Sequence, residues 1–305
     1  VTAPPPPRVT AVIVSFNTRE HLLRCLASLE PVRLPHETIV VDNASADGSP
    51  DAVAARFPAA RVVRNAENAG FGRASNQGIA LARAPYVLLV NSDAEVRPGA
   101  VEAMAALLDE RPRVGAVGPR TLSADGAVEV SFGPPLTPLG EWRQRRLVRG
   151  VRARDRRALA EAAALASVER TPAWLSAACL MARRDALAEI GGFDEEFFLY
   201  EEDVDLCRRL AQTGWTLLFT PAAEVVHHLG RSMEQAPERA GLEYERSHLL
   251  YYRKHNGTLA TALLRAWLAG TAVSGWLASW TRPATSGAAA RRRQAARLRL
   301  ARRGR

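Results

Sequence analysis

Three short apolar runs constrain this chain more than any other feature: residues 10–16 (TAVIVSF), 38–41 (TIVV) and 86–90 (YVLLV). They are rich in β-branched residues and lack polar alternation, the pattern of strands buried on both faces of a parallel sheet. Segments of helical period separate them. Residues 18–29 place Leu22, Leu23, Leu26 and Leu29 on one face, and residues 50–57, 69–82 and 99–110 read as further helices, with a short strand at 61–63. Strands alternating with helices at this spacing predict an α/β fold, a mostly parallel sheet flanked by helices. Ligands of such sheets sit beyond the carboxyl ends of the strands. Here those ends are polar: Ser15 and Asn17, Asp42 and Asn43, Asn91 and Asp93.

The second half is less regular. Residues 133–157, rich in Gly, Pro and Arg, read as a loop; a helix is expected at 203–213 and a strand at 216–219. The start, with Pro4 to Pro7 in a row and no apolar core, reads as a disordered segment over residues 1–8 without a signal peptide. Cys25, Cys179 and Cys207 have no paired spacing, so a reduced, cytoplasmic protein without disulfides or a zinc site is expected.

The net charge of +9 belongs to the end of the chain. Residues 291–305 hold eight arginines and no acid, and without them 33 basic residues face 32 acidic ones. The globular part is therefore near neutral, and no nucleic-acid partner is expected. Ahead of the arginines, residues 258–280 contain one charge, Arg265, and three tryptophans, Trp267, Trp276 and Trp280. Such a stretch can lie on an anionic membrane, or pack as helices on the domain or on a second subunit.

Several blocks carry chemistry. In residues 40–49 (VVDNASADGS), Asp42 at a strand end can accept hydrogen bonds from a base or ribose, although the same residues can cap the helix that begins near Pro50. In residues 65–78, Gly70 and Gly72 open a helix whose backbone N–H groups a phosphate or sugar can approach. Asn68 precedes them, Arg73 adds charge, and Asn76 stands one turn on. This block follows the third strand, whereas a dinucleotide fingerprint follows the first. Asn91-Ser92-Asp93 has the shape of a D-x-D element, in which a strand-end carboxylate binds a divalent cation, or it is a plain turn. Residues 194–205 hold seven acids interleaved with aromatic residues. An acid beside apolar rings can have a raised pKa and act as a general base, and Glu202-Asp203 opens a helix. His227-His228, ahead of Gly230, are metal-ligand candidates or a structural pair.

Taken in order, VIVSFN, VVDNASADGS, ENAGFGRASNQG, LLVNSDAEV, GGFDEEFFLYEEDVDLCRRL, VVHHLGRS and RSHLLYYRKHNG make the chain resemble glycosyltransferase family 2, the inverting GT-A-fold enzymes, most closely its rhamnosyltransferase-like branch. The resemblance implies a GT-A domain over residues 9–257, followed by a helical extension over 258–305. It implies that Asp42 contacts the nucleotide base, and that Ser15, Asn17, Asn43, Asn68, Gly70, Gly72, Arg73, Asn76, Asn91 and Trp174 complete the nucleotide-sugar site. Asp93 is implied to hold Mg²⁺ or Mn²⁺ with help from His227 or His228, and Asp203 of the Glu202-Asp203 pair to be the general base. The implied reaction moves a sugar, rhamnose favoured, from a nucleotide diphosphate sugar such as dTDP-rhamnose. The acceptor is a glycan or lipid-linked hydroxyl in cell-envelope polysaccharide synthesis, at the inner face of the cell membrane. Two positions depart from the family pattern: Ala177 stands where a Gly is usual, and Asn91 where many relatives carry Asp.

Two rival readings are weaker. A nucleotidyltransferase wants a Gly- and Lys-rich loop straight after the first strand, and Asn17-Thr18-Arg19-Glu20 does not supply one. A non-catalytic membrane-surface scaffold of the same fold has no need to keep Asp93 and Glu202-Asp203.

Overall fold

The structure is a computed structural model that describes residues 5–228, 237–281 and 284–303. In chain order its elements begin with β1 (Val9–Ser15), α1 (Arg19–Leu29), β2 (His36–Asp42), α2 (Ser49–Arg56), β3 (Arg61–Arg64), α3 (Phe71–Leu81), β4 (Tyr86–Asn91), β5 (Ala94–Val96), α4 (Ala100–Glu110) and β6 (Val114–Ser123). They continue with β7 (Phe132–Gly133), α5 (Pro138–Arg152), α6 (Arg156–Leu165), β8 (Trp174–Leu175), β9 (Cys179–Arg183), α7 (Arg184–Glu189), α8 (Glu202–Gln212) and β10 (Thr216–His227). Three further helices follow: α9 (Pro237–His255), α10 (Gly257–Ala278) and α11 (Ala284–Arg303).

The described residues divide into two compact units. One holds everything up to Glu195 together with the run from Asp203 through β10; the other holds Glu196–Glu202 and the three last helices. In the first unit an eight-stranded sheet runs in the order β3-β2-β1-β4-β9-β6-β10-β5. Only β9 and β5 run antiparallel to their neighbours. This is the GT-A type of mixed α/β sheet. The three apolar runs become β1, β2 and β4, and their middles are buried because helices cover both faces. Helix α1 buries Leu22, Cys25, Leu26 and Leu29, spaced by three and four residues as an amphipathic helix requires. Helix α3 lies so close to β1 that Gly78 faces Val12 with no room for a Cβ. Its N-terminus follows the carboxyl end of β3, on the edge where ligands are expected.

Residues 133–157 correct the loop reading. Most of them form α5, which continues through a turn into α6. Thr137 caps α5 by accepting a hydrogen bond from the Gly140 N–H, Pro138 occupies its first turn, and Asp155 caps α6 through the Ala158 N–H at 2.9 Å. Leu147, Ala158 and Ala162 form the small core between the two helices. The Pro was a helix start, and Gly150 is the spot where α5 passes tight against Ala158.

In the second unit α10 and α11 run antiparallel. Gly275 sits against Gln294, the Arg265 guanidinium donates to the carbonyl of Ala301, and Leu249, Leu268 and Ala301 form the core. Arg297, one of the terminal arginines, is half-buried in an ion pair with Glu245, and Arg291 stacks 4.3 Å from the Trp280 ring centre. Among the described residues no helix is long and apolar enough to cross a membrane. Gly230 and the rest of LGRS lie outside the described residues, as do Pro4 and Arg305.

Candidate active site

The parallel register sets Ser15 beside Asp42 and Val14 beside Asn91, so the polar strand ends form one edge. Asp42 is 2% exposed; its Oδ2 accepts from the Ser45 N–H at 2.9 Å, while its Oδ1 is buried with no partner among the described residues. A buried carboxylate oxygen without a donor is costly, and a ligand N–H or O–H would satisfy it. The loops around it are locked. The Asn17 N–H donates to Ser45 Oγ at 2.9 Å, and the Asn17 side chain accepts from the Ala46 N–H at 2.7 Å. Asn17 and Ala44 hold φ of 53° and 62°, left-handed conformations rare for residues with a Cβ.

Asn43 and Asn68 shape the approach to α3. The Asn43 amide donates to the Gly70 carbonyl at 3.1 Å and its oxygen accepts from Asn65 at 2.9 Å, while Asn68 accepts from the Gly70 N–H at 3.0 Å. Helix α3 then starts at Gly70, φ 83°, with no side-chain cap, which leaves its first N–H groups directed beyond the helix end. Arg73 and Asn76 lean toward the acid–aromatic block. Arg73 Nε lies 3.6 Å from Glu195, and Asn76 bonds both the N–H and the carbonyl of Phe193, at 2.8 and 2.9 Å. Gly72 allows this docking, because a Cβ there would lie 3.2 Å from that of Phe193.

Pairing of β10 with β5 carries His227 across 134 residues of sequence to Asp93. His227 aligns with Ala94, and the His228 N–H donates to the Asp93 carbonyl at 2.8 Å. His227 Nε2 lies 3.3 Å from Asp93 Oδ1, and its Nδ1 lies 3.2 Å from Glu129 Oε2. Burial pulls the imidazolium pKa down, but the hydrogen bonds and charges of Asp93 and Glu129 outweigh it and raise the pKa to about 9. Glu129 orients the ring through Nδ1 and leaves Nε2 on Asp93, so once deprotonated the imidazole could share a cation with that carboxylate. His228 points the other way, to Glu95 at 2.8 Å and toward the His21 ring. The strand pleat thus separates the two histidines. Among the described residues no group of three or more His, Cys, Asp or Glu is arranged to hold a metal. Asp93 and His227 nonetheless fit a hard divalent cation as a two-ligand set, completed by oxygens from outside the protein. Glu129 was invisible in the sequence, where it sits in an unremarkable AVEVSF stretch; only its backbone bond to Thr121 and the long strand β10 bring it here.

Asp203 opens α8 within reach of β9. Its Oδ2 accepts from the Ala177 N–H at 3.1 Å, and the adjacent Ala178 carbonyl accepts from the Asn91 N–H at 2.9 Å. One side-chain and one backbone hydrogen bond, through the Ala177–Ala178 peptide, therefore link Asp203 to the Asp93 turn. On its other side that turn is tied to β1, since the Thr18 hydroxyl donates to Ser92 at 2.8 Å and lies 3.2 Å from Ser15. The residues just before α8, Tyr200 and Glu201, hold φ of 69° and 62°. Glu202 is buried at the first position of α8. Trp174, in β8, has a buried indole N–H without a partner among the described residues. A cavity of about 700 Å³ opens beside Glu129, with Val130, Phe132, Leu147 and Leu165 on its apolar wall.

A glycosyltransferase family 2 model matches residues 10–163, and an L-rhamnosyltransferase is 32% identical over 81% of this chain. The chain belongs to glycosyltransferase family 2. That relative, the N-acetylglucosaminyl-diphospho-decaprenol L-rhamnosyltransferase of Mycobacterium tuberculosis, is covered over 84% of its own length. The pre-mycofactocin glycosyltransferase of the same species is 31% identical over 72% of this chain and 42% of its own. Among solved structures, the mannosyltransferase PcManGT from Pyrobaculum calidifontis, in complex with GDP-Man and Mn²⁺, superposes with a TM-score of 0.60 at 18% identity, covering 97% of this chain and 87% of that one. S. aureus TarS 1–349 with UDP-GlcNAc superposes with a TM-score of 0.55 at 15% identity, covering 96% and 90%. These likenesses agree with the GT-A fold, and this family 2 chain is a glycosyltransferase.

Proposed function

We propose that this chain is an inverting, divalent-cation-dependent rhamnosyltransferase that moves rhamnose from dTDP-rhamnose to a hydroxyl of a lipid-linked glycan in cell-envelope polysaccharide synthesis. One observation carries the chemical part. A largely buried carboxylate–imidazole pair, Asp93 and His227, sits at the sheet edge that Asp203 reaches from the start of α8, through its bond from the Ala177 N–H and the bond from the Asn91 N–H to the Ala178 carbonyl. The name of the mycobacterial relative supports the sugar and the lipid-linked acceptor.

In this reading Asp42 Oδ1 accepts a hydrogen bond from the nucleotide base, with Ser15 and Asn17 shaping the pocket, while the open N–H groups of α3 face the donor. Asn43, Asn68, Arg73 and Asn76 hold the walls. Asp93 and His227 hold the cation, which when bound neutralises the diphosphate charge. Asp203, oriented by the Ala177 and Val204 N–H groups, takes the proton from the acceptor hydroxyl. The hydroxyl oxygen then bonds to the anomeric carbon as the bond from that carbon to the diphosphate breaks on the opposite face. The nucleoside diphosphate leaves with the electron pair, and the sugar is inverted.

Screening dTDP-rhamnose, UDP-GlcNAc and GDP-mannose with Mn²⁺ or Mg²⁺ for thermal stabilisation tests the donor, since only a bound ligand raises the melting point by mass action. Asp203→Asn keeps the shape and loses the basicity, so turnover falls about 100-fold or more while donor affinity holds. A variant that retains more than about a tenth of the rate removes Asp203 as the base.

For localisation we infer a peripheral position at the cytoplasmic membrane face through the second unit. Helix α10 leaves Leu259, Leu263, Trp267 and Leu277 more than half exposed, spaced by four and ten residues along one side. With Arg291 and Arg297 already engaged, the remaining arginines of α11 supply the basic surface. Deleting residues after Gly257 weakens binding to anionic vesicles if the reading holds; a truncated protein that binds them as tightly as the full chain refutes it.

A further inference from the structure

Helix α5 belongs to the catalytic unit, and the transfer reaction described above makes no use of its outer face. Leu139 and Trp142 are 60% and 56% exposed, more than any other large apolar side chain among the described residues of the first unit. Arg143, Arg146 and Arg149 are exposed beside them. At 3.6 residues per turn these five side chains fall within roughly a third of the helix circumference. The opposite side is the one that packs: Leu147 is buried against α6, and Gln144 and Leu147 line the cavity beside Glu129. The one acid of the helix, Glu141, is turned inward and paired with Arg145. The outer face is therefore apolar and cationic with no acid on the helix to neutralise it. Arg152, Arg156 and Arg157 extend the exposed basic surface around the turn into α6, where Asp155 is taken up by capping and Arg154 pairs with Asp125.

A water-facing helix gains nothing from an exposed Leu–Trp pair, and a purely nucleotide-facing one needs no apolar anchor. A short helix with Trp and Leu inside an arginine field matches a surface that is apolar within and anionic at its face, namely an anionic lipid leaflet. We propose that the outer face of α5 is a membrane-docking surface of the catalytic unit itself, separate from the C-terminal helices. Docked this way, the inner face of the same helix leads from the lipid surface to the cavity next to Glu129. The proposal deepens the lipid-linked-acceptor reading, yet its test needs no acceptor and no turnover.

The three native cysteines are all buried, so Leu139→Cys can be labelled selectively with an environment-sensitive fluorophore in the full chain. With vesicles of mixed phosphatidylglycerol and phosphatidylcholine the label should shift to the blue, and with pure phosphatidylcholine it should not. Arg143→Ala, Arg146→Ala and Arg149→Ala together should lower partition of the labelled face about 10- to 100-fold, from roughly fivefold per basic group near an anionic leaflet less screening. The matching triple Lys variant should restore it. Nucleotide-induced thermal stabilisation, read in the same variants, should be unchanged, which separates failure of docking from failure of the donor site. A label that stays in water while the protein binds anionic vesicles overturns the proposal and leaves docking to the second unit. A label that shifts with a short DNA duplex but not with vesicles overturns it in favour of a nucleic-acid surface.

Discussion

Gly191 and Gly192 offer a matched pair for measuring how the acid–aromatic block is held. Both are left-handed, with φ of 72° and 71°. A Cβ on Gly191 meets nothing within 4 Å, whereas one on Gly192 collides with Asn76 Oδ1, which accepts the Phe193 N–H. Gly191→Ala should therefore cost only the left-handed strain, about 1–2 kcal/mol. Gly192→Ala carries the same strain and also displaces Asn76, whose two hydrogen bonds to Phe193 contribute about 0.5–1.5 kcal/mol each. Its total is about 2–5 kcal/mol, so the two variants differ by about 1–3 kcal/mol, or roughly 2–10 °C in melting temperature for a unit of this size. Urea unfolding of both variants, repeated in an Asn76→Ala background, forms a double-mutant cycle. With Asn76 truncated the collision is gone, and the Gly192→Ala penalty should drop to that of Gly191→Ala. Equal penalties for the two glycines in the native background, or a Gly192→Ala penalty that Asn76→Ala leaves unchanged, would show that Asn76 does not hold the block.

Isothermal titration should find that Asp93→Ala and His227→Ala each weaken nucleotide-sugar binding and abolish its sensitivity to chelator, while His228→Ala leaves both within about twofold; the reverse histidine pattern would place the metal on the other face of β10. Glu129→Gln should lower Mn²⁺ affinity about 10- to 100-fold by loosening the His227 ring, with nucleotide affinity in chelator unchanged. Burial pushes the Cys179 and Cys207 thiols up to about 12 and raises Cys25 as well. All three should thus stay neutral through pH 9 and resist a thiol reagent until the protein unfolds; rapid native labelling of any one would contradict the packing of the core.

Local patterns in the chain already determined half of this architecture. The apolar runs of β1, β2 and β4 can be satisfied only between two layers of helices, and their polar ends mark the reactive edge whatever the rest of the chain does. The glycine opening of α3 and the acid start of α8 are equally local, because caps and dipoles depend on neighbours within a turn. Helices α5 and α6 were legible in principle, through Thr137-Pro138 and Asp155, but their glycines and arginines weigh against a helix until Leu147 and Ala162 are seen to share a core. Tertiary structure alone decided the rest. Which histidine meets Asp93 depends on the register of β10 against β5, and a shift of one residue would exchange His227 for His228. Glu129 becomes part of the site only because two stretches nearly a hundred residues apart pack together. Asn76, which looks ligand-facing in sequence, bonds the backbone of Phe193, and Ala177 meets Asp203 through an N–H that no side-chain pattern encodes. Periodicity and capping are short-range properties written in consecutive residues, whereas register and the direction of a side chain are set by which distant surfaces bury each other.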